Sequence, residues 1–129
     1  MPNLVYDTRF FIEHFYSANE EMRERTKREI LVNKVKCVSV ITLHEVYRLT
    51  LQKEGREVAK LRINIISKDF EVIDVDSAVA LKAAEIRHGS LLPMADSIIA
   101  ATSVILKAVC ISDDPHFAKL RSVSTRWIE

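Results

Sequence analysis

The chain has 129 residues, of which 48% are apolar, and its 19 basic and 18 acidic residues give a formal net charge of +1. This length predicts one domain, residues 1–129, with a core of its own, and Cys37 and Cys110 are expected to be inert packing residues inside it. The near-neutral charge excludes an overall basic field for nucleic acid. The N-terminal sequence and the short apolar stretches exclude a signal peptide and a membrane span, so we expect a cytoplasmic protein.

Short apolar runs alternate with helical patterns along the chain. Strands are predicted at residues 3–7, 35–41, 70–75, 108–111 and 123–128, and helices at 9–16, 19–33, 42–54, 57–67, 77–88, 93–107 and 116–120. Asp76 fits an N-cap, Gly89 fits a C′ residue, and Gly55 is expected to end or bend the helix before it. This alternation predicts an α/β fold with a parallel sheet that is covered by helices on both faces.

Four acidic residues lie close to where predicted helices begin: Asp7, Glu45, Asp96 and Asp114. Three of them follow strand-like runs, and the C-terminal ends of parallel strands meet at one edge, where open α/β sheets bind ligands. Carboxylates gathered at that edge repel one another unless a divalent cation lies between them. Oxygen-only clusters of this kind suit Mg²⁺ or Mn²⁺. The four acids therefore predict a metal site and phosphoryl chemistry.

Each acid also has a purely structural explanation. Asp7 and Asp114 fit N-caps, and Glu45 fits a capping box in which its carboxylate reaches the amide of Thr42. Asp96 gains from the helix dipole, but it shares a face with small apolar residues on the most apolar predicted helix. An unpaired carboxylate placed there costs several kcal/mol, so Asp96 needs a cation or a dense set of hydrogen bonds. Taken together, the four acids favour the metal site.

Other chemistries lack the residues they need. Two glycines cannot build a P-loop, a dinucleotide fingerprint or a nucleophile elbow. The histidines lie on separate predicted elements and fit surface positions better than ligand positions: His14, His44, His88 and His116. His116 is the exception, because it follows Asp114 by two residues.

Four motifs now resemble one family. They are LVYDT at the N-terminus, the serine and acid of Ser39–Glu45, the MADSIIAAT of Met94–Thr102, and the S-x-D-x-x-F of Ser112–Phe117. In this order and spacing they span nearly the whole chain and resemble PIN-domain ribonucleases of the VapC toxin type. The resemblance implies a three-layer α/β/α fold around a central parallel sheet.

The resemblance also implies a catalytic site. It places metal-binding carboxylates at four positions, which would hold one or two Mg²⁺ or Mn²⁺ ions for phosphodiester hydrolysis: Asp7, Glu45, Asp96 and Asp114. Ser112 falls on a Thr/Ser position beside the metal, and Thr8 is expected in the same surroundings. Two positions depart from the family. Arg9 replaces a small residue and is expected to crowd or neutralise the first acid, and His116 replaces an acid, which weakens the case for a second metal.

These expectations define the candidate functions. The first is a metal-dependent endoribonuclease acting on single-stranded or structured RNA as the toxin of a toxin–antitoxin pair. The alternatives are a PIN nuclease of RNA processing and a PIN-like interaction module without activity. Basic residues in segments 23–36 and 56–66 are expected either to wall the RNA groove and seat an antitoxin, as in the family, or to form solvated helix faces.

A homodimer is expected as well. The family resemblance implies it, and aromatic residues near the first and third helices offer more large side chains than one core needs: Phe10, Phe11, Phe15, Tyr16 and Tyr47.

Overall fold

The computed structural model of this protein describes residues 3–128. The strands are β1 (Leu4–Tyr6), β2 (Lys36–Ser39), β3 (Glu71–Ile73), β4 (Val109–Ile111) and β5 (Ser124–Arg126). The helices are α1 (Thr8–Tyr16), α2 (Glu20–Val32), α3 (Val40–Glu54), α4 (Arg56–Asp69), α5 (Ser77–His88), α6 (Met94–Ile105) and α7 (Pro115–Ala118). Every predicted strand and helix is present, and the bounds shift by a few residues.

The strands form one parallel sheet in the order β3-β2-β1-β4-β5. Val5 on the central strand lies opposite Cys37 on one side and Cys110 on the other. Both cysteines are buried and free, and burial raises the pKa of each thiol, that of Cys110 to about 12. The predicted α/β fold with a central parallel sheet is confirmed, and the strand directions bring the C-terminal ends of β1, β2 and β4 to one edge.

Helices cover both faces of this sheet. Alternate residues of a strand point to opposite faces. Leu4 and Tyr6 therefore pack into a core with residues of α1 to α4, whereas Val5 packs with residues of α5, α6 and α7.

The start of α3 differs from the prediction. Ser39 caps this helix, because its hydroxyl accepts a hydrogen bond from the Ile41 amide at 3.2 Å, and α3 therefore begins before Thr42. The capping box predicted for Thr42 and Glu45 is wrong: the Glu45 carboxylate instead accepts a hydrogen bond from the hydroxyl of Thr8. Glu45 is thereby directed across the sheet edge towards α1.

Two glycines end helices in different ways. Gly55 has a φ of +88° between α3 and α4, where a side chain would be strained, so its predicted role as a helix breaker is confirmed. Gly89 ends α5, as predicted, with a φ of −94°, so this helix ends without a left-handed residue. Asp76 caps α5 as predicted, because its carboxylate accepts a hydrogen bond from the Val79 amide at 2.9 Å.

The aromatic residues do not support the argument for a second subunit. Phe10 and Phe11 are 0% and 1% exposed and pack with Phe70 in the core of this chain. Large exposed apolar side chains occur elsewhere instead, on α2, α4, α5, the loop before α6 and the first turn of α6: Leu31, Leu61, Leu81, Leu91 and Met94. Within residues 3–128, none of the helices combines the length and the apolar character that a bilayer crossing needs.

Candidate active site

The site is built at the carboxyl ends of β1 and β4. The Asp7 amide donates a hydrogen bond to the Ile111 carbonyl at 3.1 Å, which continues the pairing of these strands by one residue. The Ser112 amide donates to the Arg126 carbonyl at 2.9 Å, which does the same between β4 and β5. The Asp114 amide then donates to the Ser112 hydroxyl at 3.0 Å. These bonds fix the backbone that carries Asp7 and Asp114.

Asp7 is a buried acid with neutral hydrogen-bond partners. Its side chain caps α1 by accepting from the Thr8 amide at 2.7 Å, and its second oxygen accepts from the Ser112 hydroxyl at 2.6 Å. Within residues 3–128, no basic side chain forms an ion pair with this carboxylate. Burial, reinforced by the charges of Asp96 and Asp114, raises the pKa of Asp7 to about 6, although the two hydrogen bonds oppose the shift.

A second group of side chains lies beside Asp7. Asp96, Asp114 and His116 each present one ligand atom, and these atoms lie within 4.8 Å of one another. His116 Nδ1 is 3.2 Å from Asp114 Oδ1. Asp96 stands in the first turn of α6, and burial together with the charges of Asp114 and Glu45 raises its pKa, which His116 partly opposes. Small side-chain rotations would bring all three ligand atoms around one divalent ion.

Glu45 stands at the edge of this group. It is half-buried on α3, and one carboxylate oxygen accepts from the Thr8 hydroxyl at 2.5 Å. Thr8 also lies 3.3 Å from the hydroxyl of Thr42. Asp7 and Glu45 therefore adjoin the group of Asp96 and Asp114. The negative charges act on one another: Asp96 and Asp114 raise the pKa of Asp7, and Glu45 raises the pKa of Asp96. Coordination of one metal by all four acids stays a prediction.

Arg9 and His116, the two residues that depart from the family pattern, make different contacts in the structure. Arg9 donates two hydrogen bonds to Asp113, at 2.9 and 3.0 Å, and this pairing lowers the pKa of Asp113. The ion-pair partner of Arg9 is therefore Asp113. The sequence had led us to expect that Arg9 would crowd or neutralise Asp7 instead. His116 joins the acids as a candidate ligand, so the oxygen-only cluster expected from the sequence contains a nitrogen. In the sequence, the position of His116 two residues after Asp114 was the signal that this histidine could be a ligand.

Two grooves border the acids on opposite sides. One has a volume of about 450 Å³ and lies between α1, α3 and α6, with Thr8 and Glu45 at one end. The other has a volume of about 600 Å³ and is lined by His116, Lys119 and Arg121 together with the loop before α6.

The cations that line these grooves lie outside segments 23–36 and 56–66, where the sequence placed the walls. Several basic residues of α2 instead pair with glutamates of their own helix, as a solvated face predicts: Arg23 with Glu20, Arg25 with Glu21, and Lys27 with Glu24.

The comparison with known families decides the assignment of this fold. The PIN domain family matches residues 4–123. The chain belongs to the PIN-domain family. The resemblance drawn from the four motifs is confirmed, and the acids of this PIN domain stand at the carboxyl edge of the sheet, as described above.

Known proteins resemble this chain in sequence and in fold. A VapC ribonuclease of Pyrococcus furiosus is 25% identical over 119 residues, which cover 88% of this chain and 75% of that protein. The DNA-bound VapBC structure from Salmonella typhimurium superposes with a TM-score of 0.79 at 21% identity and covers 98% of both chains. A toxin–antitoxin complex from Klebsiella pneumoniae gives a TM-score of 0.73 at 20% identity, covering 95% of this chain and 97% of the other. At these identities, the structures support the fold alone.

Proposed function

We propose that this PIN domain is a divalent-metal-dependent endoribonuclease that hydrolyses RNA phosphodiester bonds. One observation carries the proposal. Asp96, Asp114 and His116 converge beside buried Asp7, which forms no ion pair within the described residues. Gathering these carboxylates is unfavourable unless they share a cation. The similarity to a VapC ribonuclease supports RNA as the substrate.

The residues of the site fit a metal. Asp96, Asp114 and His116 would hold the ion, Asp7 would join directly or through water, and Glu45 would stand at the rim. Bound there, a divalent ion polarises the phosphate and lowers the pKa of a water nucleophile. An imidazole beside two carboxylates favours Mn²⁺ over Mg²⁺, because magnesium prefers oxygen ligands.

The neighbouring hydroxyls set the orientation of the acids. Ser112 holds one oxygen of Asp7, and Thr8 holds one oxygen of Glu45. Each carboxylate is thereby fixed before substrate arrives, which is what a precise site requires. Lys119 and Arg121, in the groove beyond His116, would attract the RNA backbone by counterion release.

The toxin assignment is part of the proposal. Solved structures of similar fold include a toxin–antitoxin complex, which supports an antitoxin partner. Leu61 and Ile65 lie one turn apart on α4 and are 60% and 47% exposed, so they offer an apolar stripe to a partner helix. We also propose a homodimer that buries others of the exposed apolar side chains.

The nuclease proposal is tested with matched carboxamide variants. Purified protein is incubated with single-stranded RNA in MnCl₂, MgCl₂ or EDTA. We expect cleavage with either metal and none in EDTA, and we expect Asp96→Asn and Asp114→Asn to lose it. Asp69→Asn is the control, because this exposed acid ends α4 ahead of β3, at the opposite end of the sheet. Wild-type cleavage by Asp96→Asn would contradict the proposed site.

A crystal soaked in MnCl₂ locates the metal directly. Anomalous density is expected between Asp96, Asp114 and His116. Density at another place on the molecule would show that these residues are not the ligands.

The toxin assignment needs a cellular test. Expression of the protein should arrest growth, and co-expression of a short neighbouring reading frame should relieve the arrest. Growth that is unaffected by an active nuclease would favour a role in RNA processing. Light scattering that shows a monomer at micromolar concentration would contradict the homodimer.

A further inference from the structure

The groove of about 450 Å³ beside Glu45 has a composition that the acid site does not explain. Its floor is apolar, with contributions from Ile12, Ile41 and Met94. One wall carries three polar side chains at successive turns of α3: His44, Arg48 and Gln52. Residues four apart lie on one face of a helix, so these three form a row that runs away from the acids.

The polar row is available to a ligand. All three side chains belong to exposed residues, and within residues 3–128 no hydrogen bond or ion pair holds Arg48 or Gln52. Other arginines are engaged by carboxylates, such as Arg9 by Asp113 and Arg62 by Glu54. Arg48 therefore presents a full set of hydrogen-bond donors at the mouth of an apolar groove.

The groove is continuous with the proposed nuclease site. Thr8 and Glu45 line its inner end and also belong to the acid site. The rise of 1.5 Å per residue places Arg48 about 4.5 Å and Gln52 about 10 Å beyond Glu45 along the helix axis. A strand whose phosphate sits at the acids would therefore carry its next nucleotide into this groove.

We propose that this groove binds the unpaired base next to the cleaved bond and selects guanine, whose O6 and N7 atoms form two adjacent acceptors. This inference rests on the proposed function. The apolar floor of Ile12, Ile41 and Met94 offers a surface against which the face of a base packs. The Arg48 guanidinium can donate to O6 and N7 of guanine together, and the Gln52 amide can both donate and accept.

A partner helix fits this groove less well than a base does. A docking helix needs an exposed apolar stripe, and such a stripe lies on α4 at Leu61 and Ile65. Here the wall is polar, and the inner end stops at the carboxylate of Glu45.

The first test needs no cleavage and no metal. Guanosine, uridine, adenosine and cytidine are titrated into ¹⁵N-labelled protein in EDTA, and the side-chain resonances of Arg48 Nε and of Gln52, the one glutamine of the sequence, are followed. We expect guanosine to shift both resonances and to bind about tenfold more tightly than uridine, adenosine or cytidine, as one bidentate contact provides. Equal affinities, or shifts confined to other parts of the protein, would overturn the proposal.

The second test uses cut sites. Wild-type protein is expected to enrich guanine beside the bond that it cuts in random RNA. Arg48→Lys keeps the charge but loses the planar fork, so it should flatten the preference and still cleave. Lys68→Ala is the control, because Lys68 is exposed near the end of α4, outside the groove. An unchanged preference in Arg48→Lys and Gln52→Ala would overturn the groove proposal and leave the nuclease intact.

Two further outcomes are decisive. Selective nucleoside binding without any RNA cleavage would support the groove and contradict the nuclease. Loss of binding to an antitoxin helix in Arg48→Ala, with the base preference unchanged, would assign the groove to a protein partner and overturn the proposal.

Discussion

Two buried carboxylates stand near the end of β1, and their surroundings differ. Glu29 is 9% exposed and accepts hydrogen bonds from the Tyr6 hydroxyl at 2.7 Å, from the Asn33 amide at 2.7 Å and from the Arg126 guanidinium at 2.9 Å. Asp7 is 2% exposed and has two neutral donors, while two acids lie nearby. Both are buried, but within residues 3–128 only Glu29 forms an ion pair with an arginine, whereas Arg9 pairs with Asp113 and acts on Asp7 through its charge alone.

This comparison separates a structural acid from a functional one. Burial by itself does not indicate function, because a buried charge that is paired and fully hydrogen-bonded belongs to the fold. A buried charge that lacks a cation retains an unfavourable energy, which a bound metal can relieve. Glu29 joins α2 to β1 and β5, and Asp7 belongs to the proposed metal site.

The largest difference is expected in catalysis. Asp7→Asn should lower the rate of RNA cleavage more than about 100-fold, because metal ligands matter at least as much as the residues that orient them. Glu29→Gln, the matched change, should cleave at the wild-type rate. Rates are measured with a labelled single-stranded RNA in MnCl₂, and circular dichroism checks that both variants are folded. Cleavage by folded Asp7→Asn at the wild-type rate would contradict a role for this acid in the site.

Metal binding should distinguish the same two sites. MnCl₂ at 100 times its dissociation constant is expected to raise the free energy of unfolding by about 2.7 kcal/mol, because the ion binds only the folded state. Asp96→Asn should lose most of this stabilisation, whereas Glu29→Gln should keep it. Urea denaturation with and without the ion measures the effect. Equal stabilisation of all three proteins would place the metal elsewhere.

Without metal, Glu29 should matter for stability. Glu29→Gln removes the charge that pairs with Arg126 and is expected to lower the free energy of unfolding by about 1–3 kcal/mol. The value stays moderate because the Arg126 side chain is 41% exposed and water can solvate it. Glu24→Gln is the control, since its pair with Lys27 is exposed and contributes little. Equal effects of the two substitutions would mean that the buried pair has no special role.

An effect of similar size is expected in the pH dependence that Asp7 causes. Its pKa of about 6 in the folded protein exceeds the ordinary value of 3.8, so the folded state binds more protons than the unfolded state between these values. Its contribution to stability in EDTA should therefore fall as pH rises from about 4 to about 6, by on the order of 1–3 kcal/mol. Asp7→Asn should remove this slope, because asparagine keeps the N-cap and carries no charge. A wild-type slope in Asp7→Asn would assign the titration to another group.

The sequence by itself determined the elements and the candidate acids. The alternation of apolar runs and helical patterns specified the parallel sheet, and hence the edge at which Asp7 and Asp114 stand. The N-caps formed by Asp7, Asp76 and Asp114 were also readable, because each carboxylate bonds an amide within three residues of itself. Signals that act over one helical turn leave a pattern in the residue order, and these predictions depended on such patterns.

Only the tertiary structure decided which partners these acids have. Ser112 reaches Asp7 across 105 residues, Arg9 reaches Asp113 across 104, and Thr8 reaches Glu45 across 37. Such contacts depend on the strand order, which places β1 between β2 and β4, and on the side-chain rotamers that packing allows. A local sequence pattern contains neither the strand order nor the rotamers. The predicted capping box of Glu45 was wrong because α3 begins at Val40, where Ser39 caps it, and Glu45 instead bonds Thr8 on another element.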